Sequence, residues 1–471
     1  MGKYKYLANN IALFSVSNFV SKILVFLLVP FYTSMLTTRE YGIANLLQVT
    51  MLLLVPSLTL NIGEAALRYA VEFEKQRGSI FLIGLKYTGI ASAAVAVIAG
   101  TASIFVSGEI KQYLWFFIAL FAANALYEFL ILFFQGSEMV PIVVCGSVCC
   151  TIVMISANLL FLLVMKIGLN GYLMAQILSF LIAAMLMFFL GRSGIHKSSL
   201  KESKGVEQEM LTYGKPMILY SVSSWINNAS DRYVVLAFCG AAVNGIYGVA
   251  YNIPAILTVF QRIFAQAWQL SATKSRTDQD SAEFYSTMYK LYHAFMVLGC
   301  SFLIVGSKII AAFLFKKEFY AAWSLVPPLL ISVVFGALTG FLGSICLAHK
   351  DSKSMGLATG IGAILNLLLN LLTVQKFGAM GAAVSTAISY YVMYLFAFIF
   401  VHKYVKINCR QVRNYVSYLI LGLQAFLMIQ DINGAFLISI LLFLILVLLH
   451  FKELVEIGKT ILEKVKQKGV N

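Results

Sequence analysis

Two opposite charges stand side by side in Asn227 to Phe238, NNASDRYVVLAF, within a segment otherwise apolar enough to cross a bilayer. Asp231 offers a carboxylate that can hold a proton or a metal cation. Arg232 offers a guanidinium whose fork of N–H donors matches phosphate or carboxylate. A charge at the bilayer centre costs roughly 2.5–3.5 kcal/mol on insertion scales, so each group must face protein or a hydrated cavity. Adjacent residues on a helix diverge by about 100°, so the two charges need separate partners. Tyr220, Ser224, Asn227 and Asp231 share one face at helical spacing, and Ser221, Trp225, Asn228 and Arg232 share the next. A helix polar over that much of its circumference is expected to line a hydrated cavity. Arg232, Asn227 and Asn228 are then candidate substrate contacts, and Asp231 a candidate carrier of a coupling proton or sodium ion. The competing reading is that Asp231 and Arg232 only pair with other helices and fix their packing.

Glu128, in YEFLILFFQG, is a second intramembrane carboxylate, read either as a proton carrier or as a partner for one of the cations. Glu64 and Arg68 in NIGEAALRYA stand i, i+4, where a local ion pair is expected. Lys215, Arg262, Lys290, His293 and Lys308 lie in the outer thirds of apolar runs, where snorkelling to the interface suffices. The seven cysteines lie in or beside apolar runs without His or acidic neighbours at ligand spacing. Neither a disulfide framework nor a metal site is supported, and no cofactor is expected.

The elements that must position these groups are membrane helices. The 471 residues are 60% hydrophobic and 12% charged, where a soluble chain carries about a quarter charged residues. Apolar runs bounded by Gly, Pro or charge predict fourteen spans: residues 9–36, 42–67, 80–106, 113–135, 140–165, 171–190, 212–239, 243–270, 289–315, 321–348, 355–374, 378–402, 415–430 and 433–451. The first run lacks a small-residue cleavage site and reads as a retained span rather than a signal peptide. A cytoplasmic N-terminus puts the basic clusters Lys3–Lys5, Arg68–Arg77, Arg192–Lys204, Lys274–Arg276, Lys350–Lys353, Lys403–Arg413 and Lys452–Lys468 inside. It leaves only Arg39, Lys111, Lys166, Lys316, Lys317 and Lys376 outside. That asymmetry fixes both termini in the cytoplasm and accounts for the net charge of +15 without a nucleic-acid partner.

Two pairs of segments match at nearly constant offset. KIGLNGYLMA at Lys166 resembles KFGAMGAAVS at Lys376, and Tyr41-Gly42-Ile43 resembles Asn244-Gly245-Ile246. Spans one to six are therefore expected to recur as spans seven to twelve, as parallel repeats about an axis along the membrane normal. Lys22, in SNFVSKILVF, falls near the position corresponding to Arg232 and is a fourth candidate substrate contact. The expected organisation is an N-terminal lobe at 1–191, a polar cytoplasmic linker at 192–211 and a C-terminal lobe at 212–406. Two additional helices at 407–451 and a cytoplasmic amphipathic tail at 452–471 complete it. The fold class is all-α and polytopic, a two-lobed alternating-access architecture with substrate near the midplane.

Tyr213 to Pro254 resembles the middle of bacterial polysaccharide flippases of the Wzx type: a Tyr-Gly-x-Pro opening, an Asp-Arg pair, then Gly-[IL]-Tyr-x-x-Ala-Tyr. TTREYGIANLLQ, from Thr37 to Gln48, looks like that family's first outer turn. The superfamily also holds multidrug extruders and lipid II flippases, and these motifs separate its branches less well. The resemblance implies carriage of undecaprenyl-pyrophosphate-linked oligosaccharide across the cytoplasmic membrane, for O-antigen, capsule or another exopolysaccharide. It implies no covalent chemistry, a cationic cavity in which Arg232 and Lys22 meet the anionic linkage, and polysaccharide polymerase and chain-length proteins as partners.

Two other readings compete. A cation-coupled drug exporter would use Asp231 and Glu128 as ion carriers. A membrane polymerase would need an exposed active-site loop, yet the predicted outer connections are short and carry no acidic pair or Ser/His/Asp set. ATP-driven export is disfavoured because no P-loop pattern occurs.

Overall fold

A backbone in lipid finds no water to bond and must satisfy its N–H and C=O groups internally. In the computed structural model helices are the chain's way of doing so. The structure describes residues 26–105, 109–192, 195, 204–275, 280–349, 351–453 and 455. Lys22, half of the expected linker and nearly all of the expected tail lie outside the described residues. Among those described, ten helices are long and apolar enough to cross a membrane, with shorter apolar helices at Asn252–Ala265 and Ala435–Leu449. The protein is a multi-pass helical membrane protein.

The chain divides into two compact units, Met1–Ala229 and Ser230–Asn471. The first contains α1 (Val29–Met35), α2 (Thr38–Leu58), α3 (Ile62–Glu72), α4 (Arg77–Phe105), α5 (Glu109–Gly136), α6 (Val140–Asn158), α7 (Gly168–Gly191) and the opening of α8 (Lys204–Ala250). The predicted second span, 42–67, is not one helix. Leu60 and Asn61 adopt left-handed backbone, φ 57° and 52°, and the turn they make separates α2 from α3. Pro56 cannot donate to the helical ladder, and its carbonyl instead receives the Asn61 N–H at 2.7 Å.

Thr37 and Glu40 form a capping box at the start of α2. The same carboxylate accepts the Leu169 N–H at 3.1 Å, at the start of α7. One negative group thus serves two helix N-termini, where exposed amides and the positive dipole end favour it. Gly168 makes this possible, since a methyl there would lie 2.6 Å from Glu40 Oε1. This is the structural content of TTREYG and of the glycine in KIGLNG.

The opening of α8 is helical from Lys204, eight residues before the expected start of its span. Val206 and Met210 enter a core made by α3, α4 and α5. Glu207 accepts from Lys86 Nζ at 2.7 Å and from the Tyr87 hydroxyl at 2.8 Å. Gly214 lets α8 cross the α2–α3 turn, because a methyl there would sit 2.3 Å from the Leu60 carbonyl oxygen. Small residues at such crossings are the usual means of close approach in membranes. Asn61 then donates to Ser221 Oγ at 3.3 Å, and Trp225 Nε1 to the Val49 carbonyl at 2.8 Å.

The second unit contains the rest of α8, then α9 (Asn252–Lys274), α10 (Ser281–Leu314), α11 (Val326–Ala348), α12 (Ser352–Val401), α13 (Gln411–Ile429) and α14 (Ala435–Leu449). Its centre is α11, whose faces are nearly all buried. Trp268, Phe341, Phe264 and Tyr292 stack beside it, with 4.1 Å between the Trp268 and Phe341 centroids and 4.0 Å between those of Phe264 and Tyr292. The predicted eleventh and twelfth spans form one hydrogen-bonded run that reverses at Gly378, φ 57° and ψ −143°.

His293 does not snorkel. It is fully buried and hydrogen-bonded to the Tyr418 hydroxyl at 3.0 Å, holding α13 against α10. Lys308 is paired with Asp431 and lies over Trp323.

Glu40→Ala should destabilise the first unit by about 1–2 kcal/mol, because two helix starts lose their cap together. A lower unfolding midpoint in detergent micelles checks this. Glu40→Gln keeps an acceptor and should lose less.

Candidate functional site

The site begins with a backbone conformation. Gly240 has φ 83° and ψ 173°, a region that only glycine occupies readily. A methyl there would meet nothing within 4 Å, so its requirement is conformational rather than steric. At this point α8 folds back on itself, and residues 241–250 return alongside the segment that carries Asp231 and Arg232. The two arms meet through side chains sixteen and twenty residues apart.

Asp231 is 4% exposed. Its Oδ2 accepts the Tyr247 hydroxyl at 2.5 Å and the Tyr251 hydroxyl at 2.7 Å. The two hydroxyl oxygens are themselves 3.0 Å apart, and their rings meet edge to face at 5.4 Å. Oδ1 receives the Arg232 backbone N–H at 2.8 Å. A buried carboxylate needs such charge-assisted hydrogen bonds to offset its lost hydration. Tyr247 is fully buried and Tyr251 half-buried, and their i, i+4 spacing puts both hydroxyls on one helix face.

Arg232 is half-buried on the neighbouring face, with its guanidinium carbon 4.8 Å above the Tyr251 ring centroid. Tyr390 of α12 also lies within electrostatic reach of Asp231. The adjacent charges therefore have distinct surroundings, as the 100° divergence requires, yet Tyr251 touches both: its hydroxyl meets one and its face the other.

Asn227 is half-buried and donates to the Ser223 carbonyl at 3.3 Å, while Asn228 is exposed. Both remain on the same helix as Arg232, about one turn before it and more than three turns before the break at Gly240. Glu128 is exposed on α5 and interacts electrostatically with Glu64 of α3. These helices are in close contact, since a methyl at Gly63 would lie 2.8 Å from Leu132 Cδ1 and one at Gly136 2.3 Å from the Leu67 carbonyl oxygen. The expected Glu64–Arg68 ion pair is not formed. Arg68 lies instead over the Tyr213 ring, at 4.8 Å. The i, i+4 geometry allowed the pair, but an aromatic face on α8 was closer to hand. Lys22 lies outside the described residues.

Tyr247 and Tyr251 were not among the residues singled out as site candidates from sequence. The signal was present in the Gly-[IL]-Tyr-x-x-Ala-Tyr motif, Gly245 to Tyr251, whose two tyrosines stand one helical turn apart downstream of the Asp-Arg pair.

The site is thus a buried carboxylate held by two phenols, with a guanidinium laid on one of the rings, inside a multi-pass helical membrane protein. Residues 7–269 match the family described as polysaccharide biosynthesis protein, over half the chain, and the chain belongs to that family. It is 25% identical over 215 residues to a Haloferax volcanii protein described as probable low-salt glycan biosynthesis flippase Agl15. That alignment covers 45% of this chain and 46% of the relative, so it spans about half the relative's length. The fold is similar to that of the lipid II flippase MurJ in an inward closed conformation, with TM-score 0.67 and 17% identity over 96% of this chain and 100% of that one. It is similar also to an inward-facing multidrug resistance MATE family transporter of the MOP superfamily, with TM-score 0.67 and 14% identity over 81% and 94% of the two chains.

Gly240→Ala should cost about 1–3 kcal/mol from backbone strain alone. Gly100→Ala, equally uncrowded but inside α4, should be neutral or stabilising. Paired unfolding midpoints of the two variants in the same detergent check the difference.

Proposed function

We propose that this chain is a flippase that carries an undecaprenyl-pyrophosphate-linked oligosaccharide unit from the inner to the outer leaflet of the cytoplasmic membrane. The product would serve O-antigen, capsule or another exopolysaccharide. The reading rests on one observation: the segment matched by the polysaccharide biosynthesis family carries, within a candidate membrane span, a guanidinium laid on an aromatic face. The fold likeness and the name of the archaeal relative support it.

In this reading Arg232 forks onto the pyrophosphate, Lys22 adds a second positive charge, and Asn227 and Asn228 offer amides to sugar hydroxyls. The prenyl tail stays in the bilayer while the headgroup passes through a cationic cavity by alternating access. No bond is made or broken. Two six-span lobes at 1–191 and 212–406, a linker at 192–211 and two further helices at 407–451 provide the moving parts. Both termini lie in the cytoplasm, and a polymerase with its chain-length protein receives the flipped unit.

A second reading, a cation-coupled exporter or a lipid II flippase, draws on the Glu64–Glu128 pair and on the MATE and MurJ likenesses. Increased drug resistance on expression, with glycan output unchanged, would favour the exporter.

Arg232→Ala should reduce surface polysaccharide by about tenfold or more, the effect of losing one charge-assisted contact. The amount of protein in the membrane should stay constant. Normal polymer in cells carrying that variant would remove Arg232 from the site.

A further inference from the structure

Arg232 carries a long side chain with many accessible rotamers. A guanidinium that must meet a passing anion gains if its position is fixed beforehand, because less freedom is lost on contact. The face of Tyr251 lies under the guanidinium at 4.8 Å. The orientation of that ring is itself fixed twice: its hydroxyl donates to Asp231 Oδ2 at 2.7 Å, and Tyr247 packs edge-on against it at an interplanar angle of 87°. Asp231 cannot orient its neighbour from within one helix, since their side chains leave on different faces. Tyr251, arriving from beyond the Gly240 break, spans the two faces.

From this geometry we infer that Tyr251 is a positioning residue for Arg232, with Asp231 and Tyr247 as the anchor that sets the ring. The Asp-Arg pair then works as one unit with a tyrosine 20 residues downstream. Asp231 acts there as the acceptor that aims the ring, and donation of the hydroxyl to a carboxylate makes the ring face a better seat for a cation. The inference rests on the reading that Arg232 contacts the anionic linkage of the substrate.

The test is binding of sugar-free undecaprenyl pyrophosphate to the full chain in lipid nanodiscs, measured for a double-mutant cycle. Tyr251→Leu should weaken binding about tenfold, the scale of a partly desolvated cation–π contact. Tyr251→Phe keeps the face and loses the anchor, and should weaken it by a smaller factor. In an Arg232→Ala background neither substitution should weaken binding further, because Tyr251 acts only through that guanidinium. A purely structural role would instead give the same loss in both backgrounds, and that result overturns the inference. So does wild-type affinity in Tyr251→Leu when Arg232→Ala alone binds weakly. Should Tyr251→Leu not accumulate in the membrane, Tyr251→Phe in the two backgrounds carries the same comparison. Wild-type affinity in Arg232→Ala is a different outcome, since it removes the anion contact itself along with the residue proposed to aim it.

Discussion

A carboxylate can be kept inside a membrane helix only if hydrogen-bond donors surround it. The desolvation cost of the ion is several kcal/mol even in relaxed proteins. The second unit meets that demand with two phenols on one helix face, and everything else at the site follows from bringing them there. The phenols face Asp231 because the chain reverses at Gly240, and the reversal depends on a backbone conformation closed to other residues. Remove the reversal and the acid loses its donors; remove the acid and the ring beneath Arg232 loses its hold. A local stereochemical constraint, a buried hydrogen-bond set and the orientation of a positive group are thus links of one chain.

The first unit solves a related problem at its helix crossings. Its helices touch through Gly136 and Gly214, where missing side chains let backbone approach backbone, and at Gly63, which admits the Leu132 side chain. In lipid no hydrophobic force drives helices together, so contact quality decides. Glu40 adds a polar tie by serving the N-termini of α2 and α7 with one carboxylate. The same economy recurs at Glu207, which takes a lysine and a tyrosine from α4.

Much of this architecture was legible in hydropathy, because apolar runs of the right length in lipid have helix as their outlet. The departures occur where local backbone or tertiary contact outweighs apolar continuity. Residues 42–67 read as one span, yet Leu60 and Asn61 turn left-handed and divide it. The polar opening of α8 reads as linker, yet Val206 and Met210 find a core and draw the helix back to Lys204. Glu64 and Arg68 have ion-pair spacing, but spacing does not reveal the Tyr213 face on another helix. At the site, Asp231 and Arg232 were conspicuous because charge is rare in such a chain. Their tyrosine partners were not, since contact across a hairpin leaves no periodic mark. The two tyrosines of the Gly-[IL]-Tyr-x-x-Ala-Tyr motif, one helical turn apart, were the readable clue.

The matched segments KIGLNG and KFGAMG share a further property. Gly168 and Gly378 occupy the same place in the two segments, and both have positive φ. Around them the segments differ, Leu against Ala and Asn against Met. A helix tolerates nearly any apolar side chain that lipid or a neighbour will accept, so its sequence wanders. Backbone handedness allows no such drift. What the two segments share is therefore a point at which the chain briefly takes the mirror-image sense, held there by backbone stereochemistry rather than by a side chain.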